Sequence, residues 1–588
     1  MLLQVKAAAS GMEKMLIMAK KTWLKLTLLA SVLTLGACSN LTEKIESSQS
    51  RPGQEKREFT ILAVNDIYNI EGTDAGKSGG MARLRTLREQ LSTGNENVLL
   101  LHAGDFLFPS SMSSQYKGEQ MIDLMNQLDG ENSGFDERFY VTFGNHEFDK
   151  STKKYGSMLA KRIEESDFYW LGSNVVLNES ATSPALGFNK SLIKNDLITI
   201  NGVKVGLFSV TTDMAIPEYA AIDNNYLTVA RENIKALKEQ GAEVIIALTH
   251  LRISEDAELL KQLGENGPDV IFGGHEHNRQ HICVAISNKA KPCVIKADAD
   301  LRSATVAKVT VSSQGAVNIS HRYSIVDDST IAADETVAKR TEGWIKRYEK
   351  EYCDKHQQEE SCLLKVIGKT DVDLIAEELE IRRYETNLGA AVADIMVSAF
   401  DDIPLDRKVQ IGLINSGSLR LNQNIPAGSE LNNWYINGIF QYPVSVRLIE
   451  LSGKQLRQAI SHSIEDWTGN GWWLQSSGLA FRHDVKNGSF SDLSLIDDAG
   501  NITLVKDDDV IVAAVSDYIA DPRNGDQDGY TMFNLDREIV YGKELIDLKT
   551  TVTNVIKGKW AKGEAISPAL PGRVCSSDRI SLPCVLDK

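Results

Sequence analysis

The sequence lacks an excess of positive charge, a long apolar segment and any internal repeat, and each absence excludes a class of protein. Its 64 lysines and arginines are outnumbered by 80 aspartates and glutamates, so the formal net charge is -16. A charge of that sign argues against a nucleic-acid-binding surface. The N-terminal apolar run, residues 26–37, is shorter than the roughly 20 residues that a membrane-spanning helix needs. With 42% hydrophobic and 24% charged residues, the composition is typical of a soluble globular protein.

The N-terminus is typical of a bacterial export signal. Lysines precede the apolar run, which ends in Leu-Gly-Ala-Cys at residues 35–38. Basic residues followed by a short apolar run predict a signal peptide, here residues 1–37. Leu-Gly-Ala-Cys resembles a bacterial lipobox, and the resemblance implies cleavage before Cys38 and acylation of its thiol. The alternative is an ordinary signal peptide with an incidental cysteine.

The location expected for the mature protein follows from this signal. Residues 38–57 are polar and charged, which predicts a tether between a lipid anchor and the first domain. Ser39 follows the cysteine, and no aspartate is present there to suggest retention in the inner membrane. By analogy we expect a secreted protein of the periplasm or cell surface, anchored to the outer membrane.

Six cysteines remain when Cys38 is set aside, and they fall into three close pairs: Cys283 and Cys293, Cys353 and Cys362, and Cys575 and Cys584. Six cysteines allow fifteen disulfide connectivities, and pairing between near neighbours is the simplest prediction. Disulfides suit an oxidising compartment. Zinc binding is the alternative, although no pair has the C-x-x-C spacing that is common in zinc sites.

Short apolar runs ending at turn residues alternate with helix-prone segments in the first half of the chain. Such runs, at residues 59–64, 98–101, 140–143, 244–248 and 270–272, predict buried strands. Segments 81–91 and 227–240 predict helices, so we expect a layered α/β domain with a site at the strand ends. A chain of 588 residues is too long for a single hydrophobic core, so we expect at least two domains. The predicted parts are a catalytic domain at 58–326, a linker helix within 327–365, a second α/β domain at 366–567 and a tail at 568–588.

Residues that can bind metal ions follow each predicted strand: Asp66, Asp105, Asn145, His250, His275 and His277. Two divalent ions about 3.5–4 Å apart can hold a phosphoryl group and lower the pKa of a water molecule. Carboxylate, amide and neutral imidazole groups are suitable ligands, and Asp105 is the candidate to bridge both ions. The adjoining glycines let the backbone turn sharply, so that ligands from separate strands can converge.

This ordered series resembles the calcineurin-like metallophosphatase superfamily. The segment Gly-Asn-His-Glu-Phe-Asp at residues 144–149 is similar to the 5'-nucleotidase branch, which includes UDP-sugar hydrolases. The resemblance implies a four-layer α/β metallophosphoesterase domain, a β-sandwich flanked by helices, followed by a C-terminal α/β 5'-nucleotidase domain. It implies one metal at Asp66, Asp105 and His277, and a second at Asp105, Asn145, His250 and His275. It also implies a catalytic dyad of His146 and Asp149.

Tyr68 departs from the family pattern, which usually has a histidine two residues after the aspartate that Asp66 matches. Because a neutral phenol is a poor ligand for zinc or manganese, we expect Tyr68 to pack or hydrogen-bond only. The first metal would then have one protein ligand fewer. The alternative is a phenolate bound to ferric iron, since a hard ion of high charge favours oxygen anions.

The second half resembles the substrate-binding part of 5'-nucleotidases. By position, Arg382 and Arg420 match residues that contact substrate, Tyr442 and Tyr518 stand where the family has stacking phenylalanines, and Asp528 lies in a loop similar to Gly-Gly-Asp-Gly-Tyr. Arginine suits phosphate because its guanidinium donates two parallel hydrogen bonds, and an aromatic pair can sandwich a base. The alternative places Tyr442 in the core and leaves both arginines solvated. One family arginine is missing, and Glu378 stands in its place.

These features predict a metal-dependent phosphoester hydrolase that releases phosphate from nucleoside monophosphates, using two divalent ions of zinc, manganese or iron. Nucleotide sugars, 2',3'-cyclic nucleotides and other phosphoesters are alternative substrates. A surface lipoprotein that binds nucleotides with impaired catalysis is an alternative of a different class. We expect a monomer that binds the membrane through its lipid anchor and binds no nucleic acid.

Overall fold

The computed structural model describes residues 57–587 except 95–96, 131–133, 179–190, 216, 288–290, 360, 466–468, 522–528 and 534. The predicted signal peptide, nearly all of the tether, the lipidation site Cys38 and the substrate-loop residue Asp528 lie outside the described residues. Within the described part, no helix is both long enough and apolar enough to span a bilayer.

The first half alternates strands with helices, as the apolar runs predict. Its strands are β1 Arg57–Val64, β2 Val98–His102, β3 Phe139–Thr142, β4 Tyr169–Leu171, β5 Val175–Leu177, β6 Leu192–Ile193, β7 Asn195–Ile200, β8 Val203–Thr211, β9 Ala220–Ile222, β10 Val244–His250, β11 Val270–Gly273, β12 Gln280–Cys283, β13 Cys293–Lys296, β14 Ser303–Val311 and β15 Val317–Ile325. Its helices are α1 Met81–Ser92, α2 Ser111–Tyr116, α3 Glu119–Met125, α4 Gly156–Glu164, α5 Tyr226–Glu239, α6 Ile253–Leu263 and α7 Glu335–Lys355.

Two large sheets of this half pack face to face. The first has the strand order β15-β14-β1-β2-β3-β4-β6, and the second has the order β12-β13-β11-β10-β8-β7. Apolar side chains of both sheets, including Leu99, Leu248 and Phe272, form one buried core between them. Helices α1 and α7 cover the outer face of the first sheet, and α5 and α6 cover the second. The predicted β-sandwich flanked by helices is therefore confirmed.

The parallel strands of both sheets bring their carboxyl ends to one edge of the sandwich. Strands β1, β2 and β3 are parallel neighbours in the first sheet, and β8, β10 and β11 are parallel neighbours in the second. These strands are buried along nearly their whole length, which explains their continuous apolar character. The predicted metal ligands therefore lie in or next to the loops at this edge.

The second half contains smaller sheets and its own cores. Its strands are β16 Val366–Lys369, β17 Ile411–Asn415, β18 Glu430–Asn432, β19 Ser445–Ser452, β20 Leu474–Ser477, β21 Leu479–Asp484, β22 Ser489–Ile496, β23 Ile502–Leu504, β24 Val510–Ser516, β25 Ile546–Asp547 and β26 Val574–Ser576. Its helices are α8 Glu378–Ile381, α9 Asn387–Ser398, α10 Asn433–Ile439, α11 Gly453–Ile464, α12 Asp517–Ala520 and α13 Leu548–Ala561. The main sheet has the order β20-β17-β24-β19-β25.

The three predicted disulfides are confirmed. Cys283 bonds Cys293 across neighbouring strands β12 and β13. Cys353 in the last turn of α7 bonds Cys362 in the segment that follows, and Cys575 bonds Cys584 in the tail. Zinc binding by these cysteine pairs is excluded while the disulfides are intact, because the thiolates are consumed.

Candidate metal centre and active site

The predicted metal ligands converge at the carboxyl edge of the two sheets. Asp66 and Asp105 lie in the loops after β1 and β2, Asn145 lies after β3, His250 ends β10, and the loop after β11 carries His275 and His277. Asp66, Asp105 and His250 are buried, so their charges are shielded from water. A backbone hydrogen bond from Asp66 to the carbonyl of Gly104, 3.0 Å long, ties the first two loops together.

Four of these ligands have a left-handed backbone, which side chains rarely adopt. The φ angles are 53° at Asp66, 60° at Asp105, 90° at His275 and 62° at His277. Such conformations cost free energy and cluster at functional sites, where the surrounding structure enforces them. Gly144 allows this crowding, because a Cβ atom there would run into the carboxylate of Asp105.

One side of the centre is built from Asp105, Asn145, His250 and His275. Nδ1 of His250 donates to the carbonyl of Ala103 at 2.7 Å, which directs Nε2 toward Asp105 Oδ2 at 3.0 Å. Nδ1 of His275 lies 3.1 Å from Oδ1 of Asn145. Among the described atoms, Nε2 of His250 is buried without a hydrogen-bond partner. A buried imidazole nitrogen beside the Asp105 carboxylate, with no aligned hydrogen bond, fits a divalent metal ion.

Electrostatics on this side also favour a cation. Burial lowers the pKa of His250, but Asp105 and Asp66 outweigh that effect and raise it to about 9. Burial and the neighbouring His250 lower the pKa of His275 to about 3. The carboxylates therefore attract positive charge, and a bound metal ion would supply it in place of a proton.

The other side contains Asp66, Asp105 and His277, whose ligand atoms lie within 4.8 Å of one another. Oδ1 of Asp66 is 3.4 Å from Nε2 of His277. The phenolic oxygen of Tyr68 lies 2.9 Å from that nitrogen, 3.3 Å from Asp105 Oδ2 and 3.4 Å from Asp66 Oδ1. Ligand atoms of one tetrahedral ion at about 2.0–2.2 Å lie roughly 3.3–3.6 Å apart. The separation of Asp66 and His277 fits two ligands of a single ion, whereas the 2.9 Å contact of Tyr68 is a hydrogen-bond distance.

The loop between β13 and β14, which contains Asp300, holds Tyr68 in this place. Its backbone N–H donates to Oδ1 of Asp300 at 2.8 Å, and its ring is buried. Burial and the nearby carboxylates of Asp105 and Asp66 raise the pKa of the phenol well above its usual value. The hydroxyl is therefore neutral and hydrogen-bonds to these residues. That it binds no metal stays a prediction. Phenolate binding to iron stays a prediction.

The predicted dyad is formed at the mouth of the centre. Nδ1 of His146 lies 2.9 Å from Oδ1 of Asp149, and the backbone N–H of His146 donates to Asp105 Oδ1 at 2.8 Å. Burial lowers the pKa of His146, but Asp105 and Asp149 outweigh it and give a net increase. The His146 ring centroid is 6.0 Å from that of Tyr68, so the imidazole borders the Asp66 side of the centre.

Glu147 has a structural role that the sequence reasoning missed. Its buried carboxylate accepts backbone hydrogen bonds from Gly144 at 2.6 Å, Asp105 at 2.9 Å, Phe106 at 2.8 Å and Leu107 at 3.1 Å. Both ligand loops are thereby fixed to one side chain. The signal was its place inside the 144–149 motif, next to Asn145 and His146.

Lys296, at the end of β13, is a second residue that the sequence reasoning missed. Its buried ammonium group lies 2.9 Å from Asp256 and 2.7 Å from Glu276. It also donates to the carbonyl of Gly274 at 2.9 Å. Gly274 and Glu276 alternate with His275 and His277 along the chain, so Lys296 anchors the loop that presents both histidines.

The second half brings Arg382 and Arg420 close to the metal centre. Arg382 forms an ion pair with Glu378 at 2.7 Å, and the Glu378 carboxylate in turn contacts Nδ1 of His277. Burial raises the pKa of Glu378, but Arg382, His277 and Arg420 outweigh it and lower the pKa well below its usual value. Arg382 is thus partly buried and paired, and the alternative that both arginines are solvated is wrong.

Tyr442 and Tyr518 lie at one end of the main sheet of the second half. Tyr442 precedes β19 and Tyr518 follows β24, which are antiparallel neighbours. Tyr442 is 52% exposed and Tyr518 is 37% exposed. The alternative that Tyr442 belongs to the core is therefore wrong. The guanidinium of Arg420 lies 5.7 Å from the Tyr442 ring centre, which places this aromatic ring beside one of the two arginines.

Family comparisons match both halves of the chain. The family described as calcineurin-like phosphoesterase matches residues 59–279, and the 5'-nucleotidase C-terminal domain matches residues 366–535. The first match contains all six predicted metal ligands and the dyad. The second contains Arg382, Arg420, Tyr442 and Tyr518.

Individual proteins show the same likeness along most of the chain. A trifunctional nucleotide phosphoesterase of Bacillus subtilis is 24% identical over 90% of this chain, which spans only 36% of that relative. A 5'-nucleotidase of Diplobatis ommata is 25% identical over 88% of this chain and 89% of its own. The crystal structure of a 5'-nucleotidase precursor from Thermus thermophilus has a TM-score of 0.66 at 20% identity, covering 88% of this chain and 99% of that one. This last likeness concerns the fold.

Proposed function

This chain belongs to the calcineurin-like phosphoesterases that carry a 5'-nucleotidase C-terminal domain, and we propose that it releases phosphate from nucleoside 5'-monophosphates. The resemblance predicted from the sequence is confirmed, and the protein is a hydrolase of phosphoester bonds. One observation supports the proposal that nucleoside 5'-monophosphates are the substrates. The side chains of Asp66, Asp105, His250 and His277 converge beside the arginines of the second half.

The mechanism assigns each side chain a role at the metal centre. Asp66, His277 and Asp105 would hold one divalent ion, and Asp105, Asn145, His250 and His275 would hold the other. Bound ions supply an activated water and offset the negative charge of the phosphoryl group. Asp105 lies between the two sides, because its Oδ2 is close to both His250 and Tyr68.

His146 and Asp149 act on the leaving group. Asp149 accepts a hydrogen bond from Nδ1–H of His146, which fixes the ring so that Nε2 faces away from the carboxylate. A protonated imidazole in that orientation stabilises the transition state or donates its proton to the leaving oxygen. The carboxylates of Asp105 and Asp149 favour this protonated form, since they raise the pKa of His146 against the effect of burial.

Arg382 and Arg420 recognise the phosphate in this proposal, and the exposed rings of Tyr442 and Tyr518 hold the base. Guanidinium groups offer paired donors to phosphate oxygens, and aromatic faces stack on bases of any identity. We further propose that the protein is a secreted, lipid-anchored monomer of the bacterial surface. The export signal and the three disulfides support that location.

The test is phosphate release by purified protein from AMP, UDP-glucose and 2',3'-cyclic AMP, each with zinc, manganese or iron. We expect AMP to be hydrolysed best, and His146→Ala to lower kcat by about 10²–10⁴. His356→Ala is the matched control, because His356 is exposed at the end of α7. Preference for another substrate would replace the nucleotidase assignment.

Two observations favour a second candidate, a nucleotide-binding surface protein with impaired catalysis. A phenol at Tyr68 stands beside the ligands of one metal, and Glu378 places a carboxylate next to Arg382. Both features weaken a site for a phosphate dianion. Tight binding of AMP without turnover in any metal would establish this candidate.

A further inference from the structure

The ring of His277 is contacted at both nitrogens by residues from different halves of the chain. Tyr68 places its hydroxyl 2.9 Å from Nε2, and Glu378 places its carboxylate on Nδ1. Glu378 belongs to α8 in the second half, 101 residues away from His277. The carboxylate accepts a hydrogen bond from Nδ1–H, so in the neutral ring Nε2 keeps the lone pair that a metal ion requires.

We propose that Glu378 is a positioning residue that orients His277 as a metal ligand, so that the second half of the chain completes the metal site at Asp66 and His277. The proposal rests on the metal-dependent function proposed above. Histidines that bind metals usually donate their other ring N–H to a carboxylate or carbonyl. That partner fixes the tautomer and the ring plane, and it makes the ligand nitrogen more basic.

Glu378 is itself fixed, which a positioning role requires. It is only 6% exposed, and Arg382 holds its other carboxylate oxygen at 2.7 Å. The neighbouring Glu377 lies 3.1 Å from Arg302, and Arg302 donates to the carbonyl of His277 at 3.2 Å. The start of α8 thus contacts both the ring of His277, through Glu378, and its backbone, through Arg302.

The opposite metal side has no such connection among the described residues. Nδ1 of His250 bonds the carbonyl of Ala103, and His275 faces Asn145, so these contacts stay within the first half of the chain. The two metals are therefore expected to differ in what holds them. Metal binding on the Asp66 side depends on the position of α8 against His277, and metal binding on the His250 side does not.

The experiment measures metal binding rather than turnover. The full-length protein is stripped with a chelator and titrated with Mn²⁺ by calorimetry, and the bound metal is counted by mass spectrometry. We expect Glu378→Gln to weaken one of the two binding steps by about 10- to 100-fold and to leave the other unchanged. Glu380→Gln is the matched control, because Glu380 lies on the same helix and pairs with Arg579 at 2.8 Å.

A double variant separates positioning from general damage. If Glu378 acts through His277, Glu378→Gln has no further effect on metal binding in a His277→Ala background. An equal loss in both backgrounds, or wild-type affinity in Glu378→Gln, overturns the inference while the function stands. No metal uptake by the wild-type protein overturns the proposed function and this inference together. Circular dichroism checks that each variant is folded.

Discussion

The hydroxyl oxygen of Tyr68 lies 2.9 Å from Nε2 of His277, inside the group of atoms that would hold one metal ion. The same oxygen is 3.3 Å from the carboxylate of Asp105. The departure from the family pattern therefore does not move a side chain out of the site. It puts a phenol at the sequence position where the family usually has an imidazole.

The first prediction concerns Tyr68→His. Neutral imidazole is a better zinc ligand than phenol, so we expect the variant to bind one zinc ion at least about 10-fold more tightly than wild type. Calorimetric titration of the stripped proteins measures this change. Unchanged affinity would mean that residue 68 is no ligand. A visible band in iron-loaded wild type that is absent from Tyr68→Phe would instead identify phenolate ligation.

The second prediction concerns the dyad and pH. Asp149 helps to raise the pKa of His146, so Asp149→Asn lowers that pKa. A protonated imidazole is lost as the pH rises through its pKa, and in the variant this loss occurs at lower pH. We therefore expect the falling limb of the kcat profile to shift toward acid. Profiles that superimpose after scaling would show that Asp149 does not act through His146.

The third prediction concerns Glu147→Gln. The carboxylate accepts four backbone N–H groups, and an amide can satisfy fewer of them. Leaving a buried donor unsatisfied costs about 1–3 kcal/mol, so we expect a loss of that size in the free energy of unfolding. Urea unfolding of the metal-free protein measures it. Glu164→Gln, at an exposed position of α4, is the control.

The fourth prediction concerns Lys296→Met. Removing the ammonium group leaves the carboxylates of Asp256 and Glu276 without their cation. Breaking a buried pair in this way typically costs 3–5 kcal/mol, so we expect a loss of about that size together with weaker metal binding. Lys308→Met, on the exposed side of β14, should change stability little. Equal effects in the two variants would contradict the anchoring role.

The fifth prediction concerns Glu385, far from the metal ligands in the chain. Burial raises its pKa from 4.5 to about 7, although Arg573 opposes the shift. A raised carboxyl pKa gives stability that is complete below pH 4.5 and is lost as the pH rises through 7. We expect Glu385→Gln to remove up to about 3 kcal/mol of the difference in unfolding free energy between pH 5 and 8. Denaturant unfolding at both values tests this.

The candidate metal ligands can be predicted from the sequence because short apolar runs show where the strands end. Asp66, Asp105 and His250 follow such runs, and parallel strands bring their ends to one edge. Helix α7 also lies within the predicted linker segment 327–365, and the side chain of Asp334 caps it by accepting from the Val337 N–H at 2.8 Å. These features depend on local sequence and on topology alone.

Other features depend on packing that no local pattern encodes. The contact between Glu378 and His277 joins parts of the chain that are 101 residues apart. The direction of the Tyr68 hydroxyl is set by Asp300, which holds the backbone of Tyr68 from a distant loop. Nothing in the sequence around Lys296, at the end of β13, predicts that it is buried and paired with Asp256 and Glu276. Sequence reasoning therefore predicted residues that the fold brings together, but it missed the contacts that orient them.

The left-handed backbone of four metal ligands has a consequence for the evolution of this centre. Glycine and asparagine adopt φ values such as the 90° of His275 more easily than histidine does. Replacing these residues by glycine would relieve backbone strain while removing the side chains that would bind metal. Descendants that lose catalysis can therefore keep the fold and gain stability. The ligand loops are positions where selection for activity opposes selection for stability.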